Sequence, residues 1–127
     1  MGTLTFLNAA TIAQLLANGQ RSAAGEAMDP PPVVKLFTPD ANATWVLTEL
    51  APRDPDLAFG LCDLGLGCPE LGYVSLAELA SVRGRLGLPV EVDRTFVAQQ
   101  PLSGYADAAR DAGHIVELMP RPEIDSS

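Results

Sequence analysis

The sequence predicts an α+β fold: a mostly antiparallel sheet of four to five strands with helices packed on one face, in the order α-β-β-β-α-β-α. Three observations carry this. Strand-like runs are grouped between residues 33 and 64 rather than alternating with helices, which argues against a doubly wound fold. The helix signals stand apart from them, near residues 8–19, 75–84 and 101–113. There is no internal repeat, and 127 residues with 47% hydrophobic content suit a single domain with its own core.

The first helix opens at Asn8, a good N-cap, and carries Ile12, Leu15 and Leu16 on one stripe; Asn18-Gly19 reads as its stop. Residues 19–32 read as a loop, ending in the extended run Pro30-Pro31-Pro32. Residues 33–38 and 44–50 read as a hairpin about the turn Pro39-Asp40-Ala41-Asn42. In the second strand Trp45, Leu47 and Glu49 alternate with Thr44, Val46, Thr48 and Leu50. A turn at residues 52–56 leads to a third strand over residues 57–64. Residues 65–72 form a glycine-punctuated loop, and Tyr73-Val74 a short further stretch of strand.

Ser75 and Glu78 have capping-box spacing, with Val74 and Leu79 at the staple positions, so a helix follows, closed by Gly84 and Gly87. Residues 90–97 alternate as a fourth strand. Pro101 suits the first turn of a last helix with Tyr105, Ala108, Ala109 and Ala112 inward and Gly113 as its stop. Ile115, Val116 and Leu118 suit a final short strand. Trp45, Phe37, Phe59, Phe96 and Tyr73 are expected to fill much of the core. The domain is expected over residues 1–119, with residues 120–127 as a mobile tail.

Sixteen acidic residues face eight basic ones, a net charge of −8. That argues against direct binding of duplex DNA through phosphate contacts, and against an anionic membrane surface. No apolar run approaches the roughly 18 residues of a membrane helix. The first basic residue is Arg21, so no secretory signal is expected. Two cysteines are too few for a disulfide framework. A cytoplasmic protein is the expectation.

Motifs for catalysis are scarce. Gly65-x-Gly67 is followed by Cys68-Pro69-Glu70 and not by a helix, so it lacks the dinucleotide fingerprint, and no Lys-Ser/Thr pair makes a phosphate loop. Cys62 and Cys68 are spaced more widely than paired zinc ligands, and His114 is the one histidine. No nucleophile elbow occurs. No catalytic residue, metal or cofactor is therefore expected. The carboxylates remain. Asp40, Glu49, Asp54, Asp56, Asp63 and Glu70 face only Arg53 between residues 40 and 70. Asp40, Asp54 and Asp56 suit turn hydrogen bonding. Asp63 and Glu70 flank the glycine loop beside apolar neighbours, and for both of them acceptance of loop N–H groups is the leading expectation.

Val33-Val34-Lys35-Leu36-Phe37, Ala43-Thr44-Trp45-Val46-Leu47-Thr48-Glu49-Leu50, Ala58-Phe59-Gly60-Leu61-Cys62-Asp63-Leu64-Gly65 and Pro69-Glu70-Leu71-Gly72-Tyr73-Val74-Ser75-Leu76 together resemble the bacterial family catalogued as domain of unknown function 2958. Leu15-Leu16-Ala17-Asn18-Gly19 and Pro101-Leu102-Ser103-x-Tyr105 extend the likeness to about residues 5–116. The resemblance implies no activity. It implies carriage on plasmids, integrative elements and phages, beside anti-restriction and replication genes. The first expectation is a non-enzymatic factor binding a protein with a basic surface, of anti-restriction or anti-CRISPR type, through Asp54, Asp56, Asp63 and Glu70. The second is a small enzyme or ligand-binding domain whose pocket under the loop holds Lys35, Glu49, Asp63, Glu70 and Tyr73. The third is a homodimer through an exposed sheet edge.

Overall fold

The structure, a computed structural model, describes residues 7–120. The expected tail falls almost wholly outside that span. The elements are α1 (Ala9–Ala23), β1 (Val34–Phe37), β2 (Thr44–Ala51), β3 (Asp54–Asp63), β4 (Glu70–Ser75), α2 (Leu76–Ser81), β5 (Glu91–Val92) and α3 (Leu102–Ala112). The strands form one antiparallel sheet in the order β4-β3-β2-β1-β5. The α+β class and the antiparallel sheet are as the sequence predicts, with the stretch at Tyr73-Val74 lengthened into the full strand β4.

Asn8 caps α1 by accepting the Thr11 N–H at 2.8 Å. The helix does not stop at Asn18-Gly19; it runs to Ala23 and ends before Gly25, whose φ is +90°. The irregular connection therefore begins at Ala24, not at residue 19. Asn18 and Gly19 instead seat the helix on β2. Asn18 Nδ2 donates to the Thr48 carbonyl at 2.9 Å, and Gln14 Nε2 donates to Asn18 Oδ1 at 2.9 Å. A Cβ on Gly19 would lie 1.8 Å from the Leu50 carbonyl oxygen. Backbone meets backbone here, which only glycine permits.

That contact falls where β2 is irregular. Its register with β3 shifts between Leu47 and Glu49. Such a bulge reverses the alternation after it. Leu50 thus joins Trp45 and Leu47 on one face, and Glu49 turns to the opposite face beside Phe59, contrary to the simple alternation read from the sequence.

The helices do not share one face. Leu15 of α1 and Leu76 and Leu79 of α2 pack with Val34, Leu36, Trp45, Leu47, Leu50 and Ala58. Leu102, Tyr105, Ala106 and Ala109 of α3 pack on the other face against Val46 and Leu61. The reason lies in β1–β3, which are apolar on both sides. Trp45 and Leu47 cannot be buried by the layer that buries Val46 and Leu61. Each such aliphatic side chain contributes on the order of 1.5–3 kcal/mol by leaving water, so both faces need cover.

Two further differences concern the C-terminal half. Residues 90–97 do not form a long strand; only Glu91–Val92 pairs, with β1. Asp93 ends it, accepting the Thr95 N–H at 3.0 Å and the Thr95 hydroxyl at 2.8 Å, a local turn that competes with the ladder. After the left-handed stop at Gly113, residues 114–120 run as an irregular strap rather than a strand. Its Ile115 and Leu118 pack into the α3 layer. The Ser75 cap holds as expected, accepting the Glu78 N–H at 3.1 Å, but α2 already ends at Val82. In α3 the inward residues are Leu102, Gly104, Tyr105, Ala106 and Ala109, and Ala112 is exposed. Tyr73 is 60% exposed and does not belong to the core.

Candidate functional site

Most carboxylates of this acidic chain are already engaged. Asp63, 3% exposed, accepts the Gly65 N–H and the Ile115 N–H, each at 2.9 Å. It thereby fastens the glycine loop and the strap to the end of β3. Asp56 accepts the Ala77 N–H at 2.8 Å and the Ser75 hydroxyl at 2.5 Å, reinforcing the start of α2 from the neighbouring strand β3. Asp40 accepts the Leu86 N–H at 2.5 Å. Asp29 takes the Ser103 N–H at 3.0 Å and the Ser103 hydroxyl, supplying α3 with the cap that Pro101 cannot. Asp54 accepts the Asp56 N–H within its turn. Glu26, Glu117 and Asp107 pair with Arg21, Lys35 and Arg110.

The predicted acidic set is therefore divided. Asp56 and Asp63 hold the backbone of other segments, whereas Asp54, bonded only within its own turn, and Glu70, whose carboxylate accepts no loop N–H among the described residues, are exposed. Asp54 begins β3 and Glu70 pairs with Cys62 near its far end. Eight residues of extended chain, at about 3.3 Å each, separate those levels by roughly 26 Å.

The predicted pocket set does not converge either. Lys35 lies on β1, three strands from Tyr73, a span of about 14 Å at the usual strand spacing. Its Nζ sits 2.6 Å from Glu117, 3.8 Å from Asp93 and 6.0 Å from the centre of the Phe96 ring, so the chain's one lysine serves to hold the strap. The Thr95 hydroxyl beside Asp93, with Lys35 adding to it, holds that carboxyl below the usual aspartate range. Glu49 and Tyr73 do share a face, on either side of Phe59 in one cross-strand row. Glu70 projects from the opposite face of β4, with Gly72 and Val74.

Among the described residues, two concave features lie beside the glycine loop. One is a cleft of about 520 Å³ between the β1–β2 turn, the glycine loop and the exit of α3, lined by Asn42, Thr44, Asp63, Gly65 and His114. The other is a trough of about 580 Å³ between α3 and β4, lined by Leu61, Cys68, Glu70, Leu71, Ala106 and Arg110. Beside the trough α3 stops short of the sheet margin. Leu71 is 49% exposed, and Phe59 and Leu57 are half-buried. The Phe59 and Tyr73 rings meet edge to face, centroids 5.2 Å apart. The two leucines after β3, Leu64 and Leu66, are also exposed. Contiguous exposed apolar surface of this kind marks interaction sites.

Leu57, Leu71 and Arg110 are not singled out by the sequence reading, and Phe59 is read only as a core residue. Their signal was the alternation Leu71, Tyr73 against Glu70, Gly72, Val74, which the neighbouring glycines disguise as loop.

The cysteines differ in environment. Cys62 is half-buried and burial pushes its thiol up, whereas Cys68 is exposed on the trough. At neutral pH the folded protein is expected to take up one equivalent of a maleimide, at Cys68, and a second only on unfolding. Mass spectrometry showing two equivalents on the native protein would contradict this placement.

Among the described residues no group of three or more His, Cys, Asp or Glu is placed to hold a metal ion, and no helix is long and apolar enough to cross a membrane. No curated protein and no solved structure matches the chain. Residues 6–116 match the family model described as protein of unknown function (DUF2958), a span that includes the seat of α1, the whole sheet, the trough and α3. The likeness read from the residues on and around the sheet is thus a true membership: the chain belongs to the DUF2958 family.

Proposed function

We propose that this chain is a non-enzymatic protein-binding module that engages a partner through the open half of the β3–β4 face. The observation that carries the reading is the exposed apolar pair Leu71 and Tyr73, continuous with the half-buried Phe59, on a face where α3 packs over Val46 and Leu61 and leaves that pair open. Glu49 stands beside this row on the same face and Glu70 at the edge on the other, and neither carboxylate has a hydrogen-bond or ion-pair partner among the described residues. A net charge of −8 adds a long-range field that favours encounter with a basic surface.

The specific form of this proposal is a cytoplasmic anti-defence factor of a mobile element, plasmid or phage, occupying a basic nucleic-acid-binding surface. The family resemblance supports it. The division of labour among the carboxylates moves the weight of binding from an acidic array to the apolar face, with acids as its rim.

The test compares affinity capture by the wild-type chain and by the Leu71→Glu/Tyr73→Glu double variant, after nuclease treatment. Both side chains are exposed, so the double variant is expected to stay folded, with a midpoint lowered only by loss of the Phe59–Tyr73 ring contact, and to lose a specific partner at least tenfold. Val97→Glu, at an exposed apolar position elsewhere, is expected to retain it. Equal capture by all three proteins would overturn the proposal.

A second reading, a ligand-binding domain, is favoured by one observation: the cleft beside His114 and Asp63 opens under the glycine loop. Its mark is a metabolite-induced rise in melting temperature that His114→Ala removes and the double variant keeps.

A further inference from the structure

β4 lies at one margin of the sheet, with β3 on one side only. Natural edges are ordinarily blunted by shortness, Pro, Lys or a bulge. β5, at the other margin, obeys this: it is two residues long and carries the exposed Glu91. β4 does not. It has six residues, unbroken register with β3 from Leu57↔Ser75 to Cys62↔Glu70, and neither Pro nor Lys.

The two sides of that edge differ in chemistry. On the α3 side stand Leu71 and Tyr73 above the trough. On the other side stand Glu70, exposed and with no cation beside its carboxylate among the described residues, and Gly72, where a Cβ would meet nothing within 4 Å. A strand laid along β4 would set alternate residues over these two sides. Resting on the protein-binding reading above, we infer that β4 accepts an extended segment of the partner by strand addition, and that this segment alternates apolar with basic residues. The apolar set packs on Leu71 and Tyr73. The basic set faces Glu70, its aliphatic stems lying in the open space over Gly72.

Charge selects this occupant over a second copy of the chain. Two copies bring −8 each. Antiparallel self-pairing centred on Gly72 matches Leu71 with Tyr73, but sets Glu70 opposite Val74 and leaves the carboxylate without a cation. Arg110, which borders the same trough, is already held by Asp107 at 3.1 Å.

The experiment is an NMR titration of the full chain with the capped peptide Leu-Arg-Val-Arg-Leu-Arg. Saturable binding is expected, with amide shifts concentrated at residues 70–75 and slowed hydrogen exchange at alternate β4 amides. Glu70→Lys should weaken it at least tenfold, and so should N-methylation of alternate peptide amides. An N-methylated peptide that binds as well as its parent would overturn strand addition while leaving the protein-binding reading intact. Equal binding of the Leu-Glu analogue, or no binding by any peptide, overturns the basic alternating segment. A sedimenting dimer with protected β4 amides overturns it in favour of a second copy. Failure of the reading beneath it shows separately, as undiminished capture by the Leu71→Glu/Tyr73→Glu variant.

Discussion

Gly19→Ala is expected to destabilise the protein by about 2–3 kcal/mol, against the sign that helix propensity assigns it. Replacing glycine by alanine inside a helix ordinarily gains about 1 kcal/mol. Here the added methyl would fall 1.8 Å from the Leu50 carbonyl oxygen and 3.0 Å from its carbon. Both are backbone atoms, so no side chain can swing aside. α1 must lift from β2, which breaks the Asn18–Thr48 hydrogen bond and opens the packing around Leu15. A lower denaturant midpoint at unchanged slope is the expected readout. Ala17→Gly, at an exposed position on the same helix, calibrates propensity alone at about 1 kcal/mol. A Gly19→Ala protein as stable as the wild type would mean that α1 is not seated as described.

Asp63→Ala is expected to cost about 2–3 kcal/mol, since two partly buried N–H groups lose their acceptor together. Asp63→Asn is expected to recover little. An amide offers one oxygen, and its NH₂ group would face the second N–H donor. Hydrogen exchange separates this from a general loss of stability: the Gly65 and Ile115 amides should exchange faster than their neighbours in either variant. Unchanged exchange at both would contradict the assignment. The same bonds decide how the charge hypothesis is tested. Reversing all four of Asp54, Asp56, Asp63 and Glu70 would remove the reinforcement of α2 and the anchor of the strap, and would read out as unfolding. Asp54→Lys with Glu70→Lys leaves those bonds in place, loses only the exposed turn contact from the Asp56 N–H, and so tests charge in a folded protein.

Much of the architecture was legible because it is local. The Asn8 and Ser75 caps, the Gly113 stop and the β1–β2–β3 meander each rest on a few adjacent residues, and the structure has them as read. Asp63 as a loop acceptor was legible for the same reason, as far as Gly65. Its second partner, Ile115, lies 52 residues away and left no mark on the local sequence. The candidate site was legible only in part. Tyr73 was named as a core and pocket residue and Glu70 as a pocket and partner-binding acid, and their placement on opposite faces of one edge strand follows from register with β3.

The sequence by itself determined the fold class, the net charge and the sheet core, because alternation, caps and composition act over a handful of residues. Tertiary structure decided the rest. Whether Asn18-Gly19 ends a helix or seats one depends on where the Leu50 backbone lies. Which carboxylates are free depends on which remote N–H groups reach them. Which half of the sheet stays uncovered depends on where α3 docks, and packing across the whole chain fixes that.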